Sequence, residues 1–181
     1  MPILGIMASS ISASTSSSYE SIATATGTGS SGTITFSSIP STYASLQIRC
    51  NLIDSGGNSI RFRFNSDSGA NYAFHNLNGA GSSGVGASGV ASTTRIQIGS
   101  TYGTSSTYPL GVVADVNDYA STSKYKTLKC VSGWDDNSYG LIELVSGLWQ
   151  STSAINSITI ESTGGANFST TSQFALYGIK G

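Results

Sequence analysis

Chemistry in this chain would have to start from very few side chains. His75 is the sole histidine, and strand alternation sets it opposite Phe74, away from the apolar face. The carboxylates are Glu20, Asp54, Asp67, Asp115, Asp118, Asp135, Asp136, Glu143 and Glu161. Two of them facing each other across a sugar could hydrolyse a glycoside, but most sit among Gly, Ser and Asn, where Asp is a turn former. The closest approaches to a calcium loop are Asp54/Asn58, Asn65/Asp67 and Asp135/Asp136/Asn137. None has the twelve-residue spacing of an EF-hand. A G-x-S-x-G elbow is missing, and the Gly-rich loops lack the Lys-Ser/Thr of a phosphate loop. These observations predict a protein that is not an enzyme, with no catalytic residue, no cofactor and no metal site.

Aromatic residues offer a different chemistry. Tyr102, Tyr108, Tyr119, Tyr125, Trp134, Tyr139 and Trp149 fall in or near expected turns. Each could fill the core, anchor a subunit interface or stack on a sugar face. Trp134 has Asp135, Asp136 and Asn137 beside it, a mixture suited to sugar hydroxyls, so Trp134, Asp135 and Asp136 form the candidate ligand platform.

The elements that must position these groups are strands. Ser45 to Asn65 reads SLQIRCNLIDSGGNSIRFRFN. Leu46, Ile48, Cys50 and Leu52 share one face, and Ile60, Phe62 and Phe64 share another. A period of two over such runs means half-buried strands, and Asp54-Ser55-Gly56-Gly57-Asn58 has turn chemistry, which predicts an antiparallel hairpin at the centre of a sheet. Further strands are expected at 20–26, 33–36, 71–77, 94–99, 109–116, 125–132, 139–146, 155–161 and 173–179. Phe174 to Ile179 is apolar on both faces, so this strand should lie well inside the sheet or against a partner. Residues 78–92 (NGAGSSGVGASGVAS) carry only Val85 and Val90 as longer apolar side chains and read as an exposed loop, a natural place for ligand contact together with the Trp134 turn. Asp118 to Ser121 fits one turn of helix. The fold class is all-β, an antiparallel β-sandwich of jelly-roll type.

Composition narrows the partners. With 36 Ser, 19 Thr and 22 Gly among 181 residues, disorder is the first thing to exclude, and a 38% hydrophobic content at strand spacing excludes it. A formal charge of -1 gives no footprint for nucleic acid. No run of eighteen apolar residues exists to span a membrane as a helix. The first residues lack a signal-peptide pattern, which suggests folding in a cytoplasm and buried reduced thiols for Cys50 and Cys130, with a disulfide between two strands as the alternative. Residues 1–18 form an amino-terminal arm ahead of a sandwich domain at 19–181. Within the arm, Ile3, Leu4, Ile6 and Met7 make an apolar hook on a Ser/Thr-rich tether. The hook either anchors a neighbouring subunit or pairs as an edge strand of its own domain.

Several phrases taken together point to a family. They are Met1-Pro2-Ile3-Leu4-Gly5-Ile6, Thr35 to Tyr43 (TFSSIPSTY) followed by Leu46-Gln47-Ile48-Arg49, Asn71-Tyr72-Ala73-Phe74-His75, Ser153 to Thr159 (SAINSIT), and Phe174 to Lys180 (FALYGIK). In these the chain resembles small β-rich virion structural proteins of tailed bacteriophages, environmental and cyanophage-like ones in particular. The resemblance implies a particle component made in the host cytoplasm and supplies no catalytic residue. The expected role is a capsid decoration or cement protein that stabilises the particle as a homo-oligomer, with a trimer expected, in contact with the major capsid protein or with tail proteins. The alternative is a tail-associated carbohydrate- or receptor-binding protein contacting a host surface glycan.

Overall fold

The computed structural model describes residues 17–81, 84–102, 104–105 and 107–181; the hook residues Ile3, Leu4, Ile6 and Met7 lie outside the described residues. Among the described residues twelve strands follow one another: β1 Tyr19–Thr26, β2 Thr33–Phe36, β3 Ser45–Leu52, β4 Ser59–Phe64, β5 Tyr72–Ala80, β6 Val85–Thr93, β7 Ile96–Ser100, β8 Leu110–Asn117, β9 Lys126–Asp135, β10 Gly140–Trp149, β11 Ile158–Ser162 and β12 Gln173–Ile179. They form an eight-stranded sheet in the order β1-β12-β3-β8-β9-β10-β5-β6 and a four-stranded sheet in the order β2-β11-β4-β7. Every pairing is antiparallel. The protein is an all-β sandwich, as the period-two runs require.

The inner faces carry the residues that alternation assigns to them. Leu46, Ile48 and Leu52 of β3, Ile60, Phe62 and Phe64 of β4, Ile96 and Ile98 of β7, and Ile158 and Ile160 of β11 are fully buried. Trp149 lies 5.7 Å from Phe64 and stacks on Tyr72 at 6.2 Å, joining β10 and β5 to the small sheet. Its indole N–H donates to Asp67 Oδ2 at 2.7 Å, which satisfies the ring's one polar atom. Cys50 and Cys130 are buried free thiols. They stand on β3 and β9, two strand spacings or about 10 Å apart, beyond disulfide reach. Burial pushes both thiols up, Cys130 to about 12. As expected, β12 is interior to its sheet, between β1 and β3.

Three expectations are corrected. β3 and β4 are not a hairpin: they belong to different sheets and face each other across the core. The same alternation serves a hairpin and an arch, and the connector decides between them. Here Asp54 turns inward and accepts from Gly57 N at 2.9 Å and Thr101 Oγ1 at 2.7 Å, and also from Ser162 Oγ. Ser55 N meets Asn167 O, and Ser169 N meets Ile53 O. The apparent turn is thus a corner tied to three other segments. Second, 78–92 is mostly strand, since β5 runs on to Ala80 and pairs with β6. Backbone hydrogen bonds do most to build that edge, so its Gly, Ala and Ser side chains leave no apolar rhythm to read. Third, Asp118 to Ser121 is a turn closed by Ser121 N donating to Asp118 O at 2.9 Å. Asp118 at φ 53° is left-handed, which a helix excludes.

Candidate functional site

The broadest surface the fold offers is the outer face of the eight-stranded sheet. Strand register arranges its outward side chains in rows across the strands. One row reads Ala175, Arg49, Val113, Val131, Leu144, Leu77 and Ala87 on β12, β3, β8, β9, β10, β5 and β6. The next reads Gln173, Asn51, Gly111, Gly133, Ile142, Gly79 and Val85 on the same strands. On the other side of the first row run Tyr177, Gln47, Asp115, Lys129, Ser146, His75 and Gly89.

From β8 to β6 the first two of these rows are apolar and bare. Leu77, Val113, Val131, Ile142 and Leu144 are each 44 to 60% exposed, and Val85 is 86% exposed. Monomers seldom leave so many contiguous apolar side chains on rigid strands facing water. Gly111 and Gly133 lie side by side and open a groove of about 1090 Å³ walled by Val113, Val131 and Ile142, with Arg49 at one end and Asp135 at the other. Gly133 is required there, because a Cβ would stand 2.9 Å from the carbonyl oxygen of Leu141.

Toward β1 the same face becomes polar and internally tied. The Arg49 guanidinium lies between the rings of Tyr19 at 5.2 Å and Tyr177 at 5.1 Å. Arg49 Nε donates to Gln47 Oε1 at 2.7 Å, and Gln47 Nε2 donates to Asp115 Oδ1 at 2.8 Å. A second groove of about 480 Å³, lined by Ala25, Asn51, Ala175 and Tyr177 among others, meets the first at Arg49.

The residues singled out from sequence are spread apart. The Trp134 side chain points into the sandwich, where it is 7% exposed, sits 5.8 Å from the Tyr139 ring and donates from its indole N–H to Ser100 O at 3.1 Å. A buried ring has no open face for a sugar, so the platform of Trp134, Asp135 and Asp136 is not assembled. Asp135 accepts from Asn137 N at 2.7 Å. Asp136 takes the amides of Tyr139 and Ser138 and the Ser138 hydroxyl, and these bonds hold its carboxyl below the usual range. Both close the β9–β10 turn. Trp149 and Tyr119 are also core residues; the Tyr119 hydroxyl donates to Pro40 O at 2.6 Å and accepts from Tyr43 N. His75 is outward on β5 with Ser146 and Gly89 as register neighbours. Among the described residues, no group of three or more His, Cys, Asp or Glu gathers to hold a metal.

Two carboxylates are buried. Burial works to raise the Asp54 carboxyl, but the hydroxyls of Ser162 and Thr101 and the amides of Gly56 and Gly57 outweigh it and hold it low. Glu143, facing inward from β10, is raised by burial, with Asn76 and the Ser100 amide offsetting only part. Its Oε2 has no hydrogen-bond partner among the described residues.

The apolar row was within reach of sequence reasoning. Two-faced apolarity, the signal that places Phe174 to Ile179 inside a sheet, also marks Val112-Val113 in β8 and Leu141 to Leu148 in β10. What such a strand set can do is bind by burying surface, with Arg49 as a fixed cation at its border. No protein-family model matches the chain, and no significant match exists to a curated protein or a solved structure, so the face itself carries the functional reading.

Proposed function

We propose that this chain is a non-enzymatic structural protein of a bacteriophage virion, made in the host cytoplasm, that decorates or cements the capsid as a homo-oligomer and stabilises the particle. The observation that carries the reading is the bare apolar face on β8, β9, β10, β5 and β6. A low-charge apolar surface on rigid strands suits a lasting contact inside an assembly. The chain path supports a jelly roll: β1, β3, β8 and β12 alternate in sequence with β2, β4, β7 and β11 in the opposite sheet, and the hairpins β5–β6 and β9–β10 widen the first sheet. Jelly rolls recur in capsid proteins and in lectins. In this reading Ile3, Leu4, Ile6 and Met7 reach the major capsid protein or a tail protein, and many copies make a modest contact effective. The test is a density map of purified particles joined to their peptide inventory. The chain should be found at regular positions on the shell; its absence from washed particles overturns the proposal.

A second reading, a tail-associated glycan or receptor binder, is favoured by one observation. Tyr102, Tyr108 and Tyr139 are exposed at the end of the sandwich where the β5–β6 and β9–β10 turns lie together. There a Cβ on Gly81 would strike the Tyr139 ring at 2.4 Å. Binding to host polysaccharide that disappears in Tyr102→Ala would support this reading, and a blank glycan array would remove it.

A further inference from the structure

We infer that the bare face is covered by the same face of a second copy, related by a twofold axis that runs along the strands between β9 and β10. The inference rests on surface geometry and holds whether or not the protein belongs to a particle.

The row Val113, Val131, Leu144, Leu77 is balanced about the line between β9 and β10, with two valines on one side and two leucines on the other. Rotation about that line brings β9 over the partner copy's β10 and β8 over its β5. Val131 then meets Leu144, and Val113 meets Leu77. Small stands against large in each pair, so the gap between the sheets has even thickness. In the next row the rotation sets Ile142 above Gly133, a projecting side chain over the floor of a groove. In the third row Asp115 faces His75 and Lys129 faces Ser146, so this row opposes no like charges.

The area is also adequate. The rotation overlaps six strands, β3 to β6 in sheet order, and at about 4.8 Å apiece with seven residues at about 3.4 Å they give a face on the order of 690 Å², within the roughly 600–1,000 Å² that one partner contributes to a specific interface. Isologous contacts need a self-complementary patch, and this row is one. Twist in two such sheets crosses their strands at about 30°, so the contact is tightest at Val131, Leu144 and Ile142 and loosens toward Arg49.

Sedimentation of the full chain across micromolar concentrations tests this. The wild-type protein should be dimeric. Leu144→Lys should weaken association by about 100-fold while the circular-dichroism melt of the dilute monomer stays in place. Register is tested by Val113→Lys and Leu77→Glu, each of which should be monomeric alone. Mixed together they should form a heterodimer, because one contact becomes Lys–Glu and the other stays Val–Leu. A monomer at all concentrations overturns the inference. So does a dimer indifferent to Leu144→Lys, or a mixture that fails to associate. If the wild type is monomeric and deleting residues 2–12 makes it dimeric, the occupant is the chain's own arm and the second copy is excluded.

Discussion

The outer face of the large sheet changes character at β8. On the β1-β12-β3 side, side chains are tied to one another: Arg49 lies between Tyr19 and Tyr177, and Gln47 bridges Arg49 to Asp115. On the β8-β9-β10-β5-β6 side, valine, leucine and isoleucine project with nothing over them. Both halves share one backbone ladder and one buried core, so the contrast belongs to outward residues alone. The first half is finished for contact with water. In its two apolar rows the second has the composition of an interface core, where charge is depleted. The strands that carry most of it, β5, β6, β9 and β10, are the two hairpins that widen the sheet.

The sharpest way to break the comparison is at the corner that fixes β3. Asp54→Ala strands the amides of Gly56 and Gly57 and two hydroxyls in a buried corner and should cost about 3–4 kcal/mol by chemical denaturation. Because the folded Asp54 carboxyl lies below its ordinary 3.8, its contribution is intact above that pH and fades as pH falls through the lower folded value. Asp54→Asn should therefore flatten the acid side of the stability curve. A cost below 1 kcal/mol would mean that the tied half does not depend on this corner.

Arg49→Ala comes next, with an expected loss of about 1–2 kcal/mol from two ring contacts and the Gln47 bond. No loss would erase the distinction between the halves. In the widened half, Glu143→Gln should do the reverse. A carboxyl raised by burial costs stability as pH climbs from its unfolded 4.5 through the higher folded value. The Gln chain should gain about 1 kcal/mol at pH 7 and nothing below about pH 4; a Gln chain less stable at pH 7 would show that the carboxylate is held by a partner. Smallest of all, Leu144→Ser should move the stability of the dilute monomer by less than about 0.5 kcal/mol, since Leu144 is 53% exposed and lies outside the buried core. A larger change would put Leu144 in the core and end the contrast.

Strand positions were legible because an apolar face against a core enforces a period of two. Ile60, Phe62 and Phe64 could be read as one face with no further information. Sheet membership was not legible: the run from Leu46 to Phe64 has the same alternation in an arch as in a hairpin, and the deciding bonds from Thr101 and Ser162 come from distant sequence. β6 escaped because Gly86, Ala87, Ser88 and Gly89 mark neither face. Lys126 and Glu143 occupy inward positions that alternation assigns to apolar residues; Lys126 Nζ is satisfied by the carbonyls of Lys124 and Ser151, acceptors that carry no sequence signature. Trp134 misled for a related reason, and Trp149 shows the same device. Their indole N–H groups find buried acceptors, Ser100 O and Asp67 Oδ2, so rings next to turns could still enter the core.

The pairing of β1 with β12 sets the order in which the molecule can assemble. Tyr19 faces Ile179 across the ladder, and Lys180 N donates to Ser18 O at 2.9 Å. Among the described strands β1 emerges first and β12, the neighbour it pairs with, emerges last. Closing so long a loop is a slow, late step, and until it happens β1 and the free edge of β3 stay open to other chains. In pulse-labelled hydrogen exchange the amides of Ala23 to Thr26 should gain protection after those of β9 and β10, whose short turn pairs them within a few residues. The first of the described strands to be made is then the last to be locked.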